Sequence, residues 1–103
     1  MPHLALSLLG TFRATLDDAP ITSFESAKVR ALLAYLAVEN TRPHARETLA
    51  GLFWSDFSNS DALRNLRLAL SNLRHAIGDH HADPPFLFIT RDTIQFNTKG
   101  GSA

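Results

Sequence analysis

The feature that most constrains this chain is a helical repeat of leucines in residues 61–77. At about 100° per residue the apolar side chains form one stripe, which comprises Leu63, Leu66, Leu70, Leu73 and Ile77. An adjoining stripe carries Arg64, Arg67, Ser71 and Arg74. The segment is therefore predicted to be a long helix that packs into a core on one side. Its guanidinium-rich side suits contacts with phosphates and with guanine edges in a groove.

The composition is that of a single domain that needs no cross-links. The 103 residues are 45% hydrophobic and include no cysteine, so a core can form without disulfides. The lack of cysteine also excludes thiolate metal sites and cysteine nucleophiles, and it fits a reducing cytoplasm. Neither a signal peptide nor the roughly 20 apolar residues that span a bilayer can be recognised. We therefore expect a cytoplasmic protein with no membrane partner.

The charge is balanced overall but unevenly distributed along the chain. Ten Lys and Arg residues match ten Asp and Glu residues, which argues against indiscriminate binding of nucleic acid. Acidic side chains gather in the N-terminal quarter beside a single basic residue, Arg13. In contrast, the arginines of 61–77 face only Asp61. A local basic surface is therefore predicted on a neutral domain.

The N-terminal quarter is predicted to form strands. Period-two alternation on both sides of Gly10 indicates a pair of strands at 3–9 and 11–16. Residues 17–20 have the composition of a turn, and a short third strand is expected near Ile21.

Three helices and a hairpin are predicted to follow. Ser26 is the expected N-cap of a first helix that runs to about Glu39 and is stopped by residues 40–43. Apolar spacing predicts a second helix at 46–53, and the third, at 61–77, begins after a cap at Ser58 or Ser60 and ends at Gly78. After a polar loop at 79–85, alternating residues at 86–90 and 93–97 indicate a hairpin that turns at Arg91 and Asp92.

This order of elements is typical of an α+β winged helix-turn-helix fold. Two helices form a scaffold, the third enters the major groove of DNA, and the hairpin projects as a wing. The predicted domain is 1–98, and residues 99–103 are expected to be a tail or linker.

Four blocks of sequence, at 8–12, 28–37, 46–54 and 62–74, resemble a known family. They follow the pattern of the N-terminal domain of SARP-type bacterial transcriptional activators, the antibiotic regulatory proteins and their larger relatives, over about residues 4–97. The resemblance implies an OmpR/PhoB-type winged helix, binding to direct repeats in promoter DNA, and recruitment of RNA polymerase. One departure is visible after the second helix, where Ser55 stands between Trp54 and Asp56 at a position that is commonly proline in the family. Without proline that loop is expected to be less rigid.

The predicted DNA contacts lie mainly on the third helix. They are Arg64, Asn65, Arg67, Leu68, Ser71, Arg74 and His75. Arginine and asparagine suit base edges and phosphates, and a leucine can touch a thymine methyl. The alternative is an ordinary solvated face on which arginine stems cover the edge of the core or the charges lie at the helix C-terminus.

Further contacts are predicted outside the third helix. Arg91 at the hairpin tip can reach a phosphate or the minor groove, although a turn arginine is often only solvated. Arg46 and Thr48 are expected to bind phosphate through the amides at the start of the second helix. Between the second and third helices, Trp54 is expected in the core. The resemblance implies that Asp56, in the same loop, faces RNA polymerase.

No enzymatic activity, cofactor or metal is predicted. The cluster at 79–83 contains two histidines and two aspartates, but a structural zinc site needs four separated ligands held rigidly. No nucleophile, base and orienting residue occur at a supporting spacing, and no glycine-rich phosphate loop is present.

Two functions are compatible with these features. The first is sequence-specific binding of double-stranded promoter DNA as a module of a bacterial transcriptional activator. Because one small domain makes few contacts, we expect it to bind as a tandem or dimeric pair. The second is a protein-interaction winged helix whose basic stripe docks an acidic partner without DNA, an alternative that the zero net charge favours.

Overall fold

The computed structural model describes residues 4–7 and 13–98. The predicted tail at 99–103 and the parts of the predicted N-terminal strands at 3 and 8–12 lie outside these residues. The described elements follow the predicted order of strands, helices and hairpin.

The N-terminal strands form a three-stranded antiparallel sheet in the order β1-β2-β3. β1 is Leu4–Ser7 and β2 is Arg13–Leu16, paired so that Leu4 lies opposite Leu16. Asp17 and Asp18 make the next turn with φ of 51° and 69°, a left-handed conformation that aspartate tolerates better than most residues. The short strand β3, Ala19–Pro20, ends just before Ile21, where a third strand was expected.

The first helix, α1 (Ala27–Val38), begins at the predicted N-cap. The Ser26 hydroxyl accepts a hydrogen bond from the Val29 amide at 3.3 Å. Its buried side chains are Val29, Leu32, Leu33 and Leu36. The side of α1 that carries these residues therefore faces the core.

The second and third helices pack against each other. They are α2 (Arg46–Phe53) and α3 (Asn59–Ala76). Of the two possible caps for α3, Ser58 is the one used, because its hydroxyl accepts from the Asp61 amide at 3.3 Å. The helix therefore begins two residues before the predicted start at 61. It ends at the predicted stop, where Gly78 has φ of +69°.

The leucine stripe of α3 packs into the core as predicted. Leu66, Leu70, Leu73 and Ile77 are buried and Leu63 is half-buried. This stripe belongs to one core cluster with α1 and with buried side chains of the N- and C-terminal sheets, among them Leu4, Leu87 and Ile94. Burial of these apolar surfaces is the main force that holds the third helix in place.

The predicted hairpin is part of a three-stranded sheet in the order β4-β6-β5. Its strands are β5 (Leu87–Ile89) and β6 (Thr93–Phe96), and β6 also pairs with β4 (His44–Ala45). β4 was not predicted, because two residues are too few to show an alternating pattern. Residues 79–85 were predicted to be a loop, whereas Asp79–His81 form a short 3-10 helix.

These elements form the predicted α+β winged helix-turn-helix. Three helices and two antiparallel sheets make up the described elements, and the β5-β6 hairpin follows α3 as a wing. Within residues 4–7 and 13–98, no helix combines the length and the apolar character needed to cross a membrane.

Candidate DNA-binding surface

The side of α3 opposite the core carries most of the predicted contacts. Arg64, Arg67, Leu68, Ser71 and His75 are exposed, and Asn65 and Arg74 are half-buried. Leu68 is 59% exposed, although leucine is usually buried. An exposed leucine among arginines leaves an apolar contact available on an otherwise polar helix face.

The three arginines of this face have different environments. Arg67 makes no hydrogen bond or ion pair with any residue that the structure describes. Arg64 donates to the Asp61 carboxylate at 3.0 Å, one turn earlier on the same helix, and both side chains are well exposed. Such a pair contributes little to stability and is easily rearranged by a ligand.

Arg74 is bound to a buried carboxylate that the sequence analysis did not connect with it. Its Nε donates to Asp79 Oδ2 at 3.0 Å, and the side chain of Asp79 is only 1% exposed. The expectation that the arginines of 61–77 face only Asp61 was therefore wrong. Asp79 is five residues further on and beyond the helix end, so helical periodicity could not place it beside Arg74.

Arg46 joins the start of α2 to the wing. Its Nη2 donates to the Thr90 carbonyl at 3.0 Å, and its backbone amide donates to the Asp92 carbonyl at 2.9 Å. Its Nε is buried and has no hydrogen-bond partner among the described residues. Arg46 therefore positions the wing, and one of the α2 amides that were expected to bind phosphate is already occupied. Thr48, on the first turn of the same helix, is exposed.

Residues from α2, α3 and the wing meet in one groove. A shallow depression is lined by Arg46, Arg67, Leu70, Ser71, Arg74, His80 and Ile89. A second depression shares Arg46 and adds Arg91 from the wing tip. We call these two depressions together the arginine groove. Four arginines from three separate elements, α2, α3 and the wing, are therefore brought to one surface.

The arginine groove also has acidic neighbours. Glu47 and Asp92 line the same depression as Arg46 and Arg91. Both carboxylates are exposed, so they reduce the local positive charge near the wing tip. The most strongly basic part of the groove is therefore the part beside Arg67 and Arg74.

The turn between α2 and α3 separates one buried aromatic residue from two exposed side chains. Trp54 is 8% exposed and packs in the core, as predicted, with Lys28 Nζ 5.4 Å from its ring centroid. Phe57 is 51% exposed, and Asp56 is exposed beside it. Asp56 therefore lies on an accessible surface, which a contact with another protein requires.

Asn72 on α3 has a structural role that sequence analysis missed. Its side-chain amide donates to the Ser23 carbonyl at 3.3 Å, and its side-chain oxygen accepts from the Glu25 amide at 2.9 Å. These bonds hold the segment before α1 against α3. No local sequence signal connects Asn72 with Glu25 and Ser23, because they lie 47 and 49 positions away along the chain.

The chain is similar to known transcriptional regulatory proteins. The chain is 33% identical over 82 residues to the transcriptional regulatory protein EmbR of Mycobacterium bovis and to that of Mycobacterium tuberculosis. The match covers 80% of this chain and 21% of each relative. No protein-family model matches the sequence.

A solved structure has the same fold. It is that of Mycobacterium tuberculosis EmbR in complex with a low-affinity phosphopeptide, which superimposes with a TM-score of 0.76 at 28% identity. The superposition covers 94% of this chain and 26% of the EmbR chain. This chain thus spans about a fifth of the length of its curated relatives, and it is homologous to one part of a transcriptional regulatory protein.

Proposed function

We propose that this chain binds double-stranded promoter DNA sequence-specifically, as the DNA-binding module of a bacterial transcriptional activator of the SARP type. The observation that carries the proposal is the arginine groove between α3 and the wing, where a winged helix receives DNA. The similarity to EmbR, a transcriptional regulatory protein, supports the same function. On this proposal the chain works in the cytoplasm and is not an enzyme.

The recognition step follows from the geometry of α3. The helix has 18 residues, so it is about 27 Å long and can lie across a major groove. Base edges are read by Arg64, Asn65, Arg67 and Leu68. Ser71, Arg74 and His75 follow on the same face, and Arg91 grips a phosphate or the minor groove from the wing. Thr48, with the remaining amides at the start of α2, contacts the backbone.

Partner proteins are the next part of the proposal. A single domain of this size buries too little surface for high specificity, so two copies bind together on direct repeats. The exposed Asp56 contacts RNA polymerase when the pair is bound. Direct repeats and the polymerase contact come from the resemblance to SARP-type activators.

The test is a fluorescence-anisotropy titration with promoter fragments of the source genome. It is repeated at salt concentrations from about 50 to about 200 mM, a range over which phosphate contacts make DNA affinity fall steeply. We expect selective binding to some fragments and a log-log salt slope of about −0.9 for each phosphate contacted. A fragment with two direct repeats should bind more tightly than a fragment with one.

A different result would favour the second function. The zero net charge gives the domain no overall attraction to DNA, and its basic stripe suits an acidic protein partner instead. If no fragment binds even at the lowest salt, the DNA-binding proposal is rejected and the acidic-partner function takes its place.

A further inference from the structure

Asp79 stands out because it is a buried carboxylate at the junction of the recognition helix and the wing. It follows Gly78, which ends the turn after α3, and only 3% of the residue is exposed. Removing a carboxylate from water is costly unless hydrogen bonds compensate. The buried Asp79 carboxylate therefore needs several hydrogen-bond donors, and neighbouring residues provide them.

Both carboxylate oxygens of Asp79 are bonded, each to a different element. Oδ1 accepts from the Phe86 amide at 2.7 Å and from the Leu87 amide at 3.1 Å, where the wing begins. Oδ2 accepts from Arg74 Nε at 3.0 Å, in the last turn of α3. One side chain thus connects the end of the recognition helix to the first strand of the wing.

The bond to Nε determines what remains available on Arg74. A guanidinium has five N–H groups in a rigid plane, and only the Nε–H is used here. The two terminal amino groups make no bond with any described residue, and the side chain is 34% exposed and lines the arginine groove beside Arg67 and Ser71. Asp79 therefore restricts the rotation of the guanidinium while it leaves the paired amino groups accessible.

We propose that Asp79 is a positioning residue for DNA binding, which holds Arg74 so that its two terminal amino groups grip a phosphate oxygen pair. The inference rests on the proposed function and deepens it. A preoriented guanidinium binds phosphate in a two-pronged manner and loses less side-chain entropy on binding.

The variant Asp79→Asn distinguishes positioning of Arg74 from a simple effect of charge, because the two explanations predict opposite changes in DNA affinity. Asparagine keeps the shape and one oxygen for the Phe86 and Leu87 amides, but its NH2 group faces Arg74 Nε, and two donors cannot bond. If only charge matters, loss of a carboxylate near DNA strengthens binding. If positioning matters, binding weakens by about three- to tenfold and the salt slope falls by about one phosphate contact.

The control is Asp83→Asn, which removes the same charge from an exposed side chain in the same segment. We expect it to leave DNA affinity unchanged or slightly increased. A second variant, Arg74→Lys, keeps the positive charge and the buried carboxylate but lacks Nε and the paired amino groups. We expect it to bind DNA as weakly as Asp79→Asn, and the double variant to bind no more weakly than either single variant.

Folding of the variants is checked without DNA. Amide hydrogen exchange at Phe86 and Leu87 should stay protected in Asp79→Asn, which shows that the wing remains attached. Tighter or unchanged DNA binding in Asp79→Asn, or full affinity in Arg74→Lys, would overturn the positioning role while the proposed function stands. Failure of the unaltered protein to bind any fragment would instead overturn the proposed function.

Discussion

Arg67 differs from the other two arginines on its helix face because no described residue binds its side chain. Arg64 is paired with Asp61 and Arg74 with Asp79, so each has an intramolecular partner at 3.0 Å. A ligand that binds Arg67 does not have to displace such a partner. At the scale of single residues, Arg67 is therefore expected to contribute most to base recognition.

Replacing Arg67 with alanine should weaken binding to the selected promoter fragment by about 1–3 kcal/mol and relax the preference at one base position. The measurement is a set of anisotropy titrations on fragments with single base substitutions. The matched control is Arg13→Ala, which removes the same charge from an exposed side chain of β2 whose cleft contains no residue of α3. Equal effects of the two substitutions would mean that Arg67 acts only through general charge.

At the scale of the element, the stability of α3 depends on its first turn. Ser58 caps it through a hydrogen bond to the Asp61 amide, and Asp61 adds a negative charge at the positive end of the helix. In the last turn, Arg74 places a positive charge at the negative end. Capping and charge thus agree with the apolar stripe, so several local signals specify one helix.

Ser58→Ala should lower the free energy of unfolding by about 0.5–2 kcal/mol, because the Asp61 amide loses its acceptor. The measurement is urea unfolding followed by circular dichroism. Ser60→Ala is the matched control, since Ser60 was the other predicted cap but lies inside the helix, and we expect a change within about 0.5 kcal/mol. A larger loss at Ser60 than at Ser58 would show that the helix begins later than the structure places it.

At the scale of the whole molecule, one core supports both the fold and the arginine groove. Leu66 of α3 is 1% exposed and packs in the same cluster as side chains of α1, α2 and both sheets. Leu68, two residues away, points outward and is 59% exposed. Helical rotation therefore separates the buried side of α3, which stabilises the fold, from the exposed side that is proposed to contact DNA.

Leu66→Ala should lower the free energy of unfolding by about 2–5 kcal/mol, because a cavity opens in the core. Leu68→Ala should change it by less than about 0.5 kcal/mol, since the side chain is largely in water already. The same unfolding experiment measures both variants. In DNA titrations we expect Leu68→Ala to lose preference for a thymine, and an undiminished preference would remove Leu68 from the recognition surface.

Local pattern in the sequence determined most of the elements and the chemical character of α3. The period of the leucines specified α3 and its buried side, the serine cap specified the start of α1, and Gly78 specified the end of the third helix. These signals act between residues a few positions apart, where helix geometry alone dictates which side chains are neighbours. The exposed arginine face of α3 follows from the same periodicity.

Only the tertiary structure decided which distant groups meet. The pairing of Arg74 with Asp79, the attachment of Asp79 to the wing, and the bond from Arg46 to Thr90 connect separate elements. The short strand β4 exists because β6 offers it a partner, and its two residues carry no pattern of their own. Such contacts depend on the packing of a shared core, and no periodicity along the chain encodes the distance between two surfaces that packing brings together.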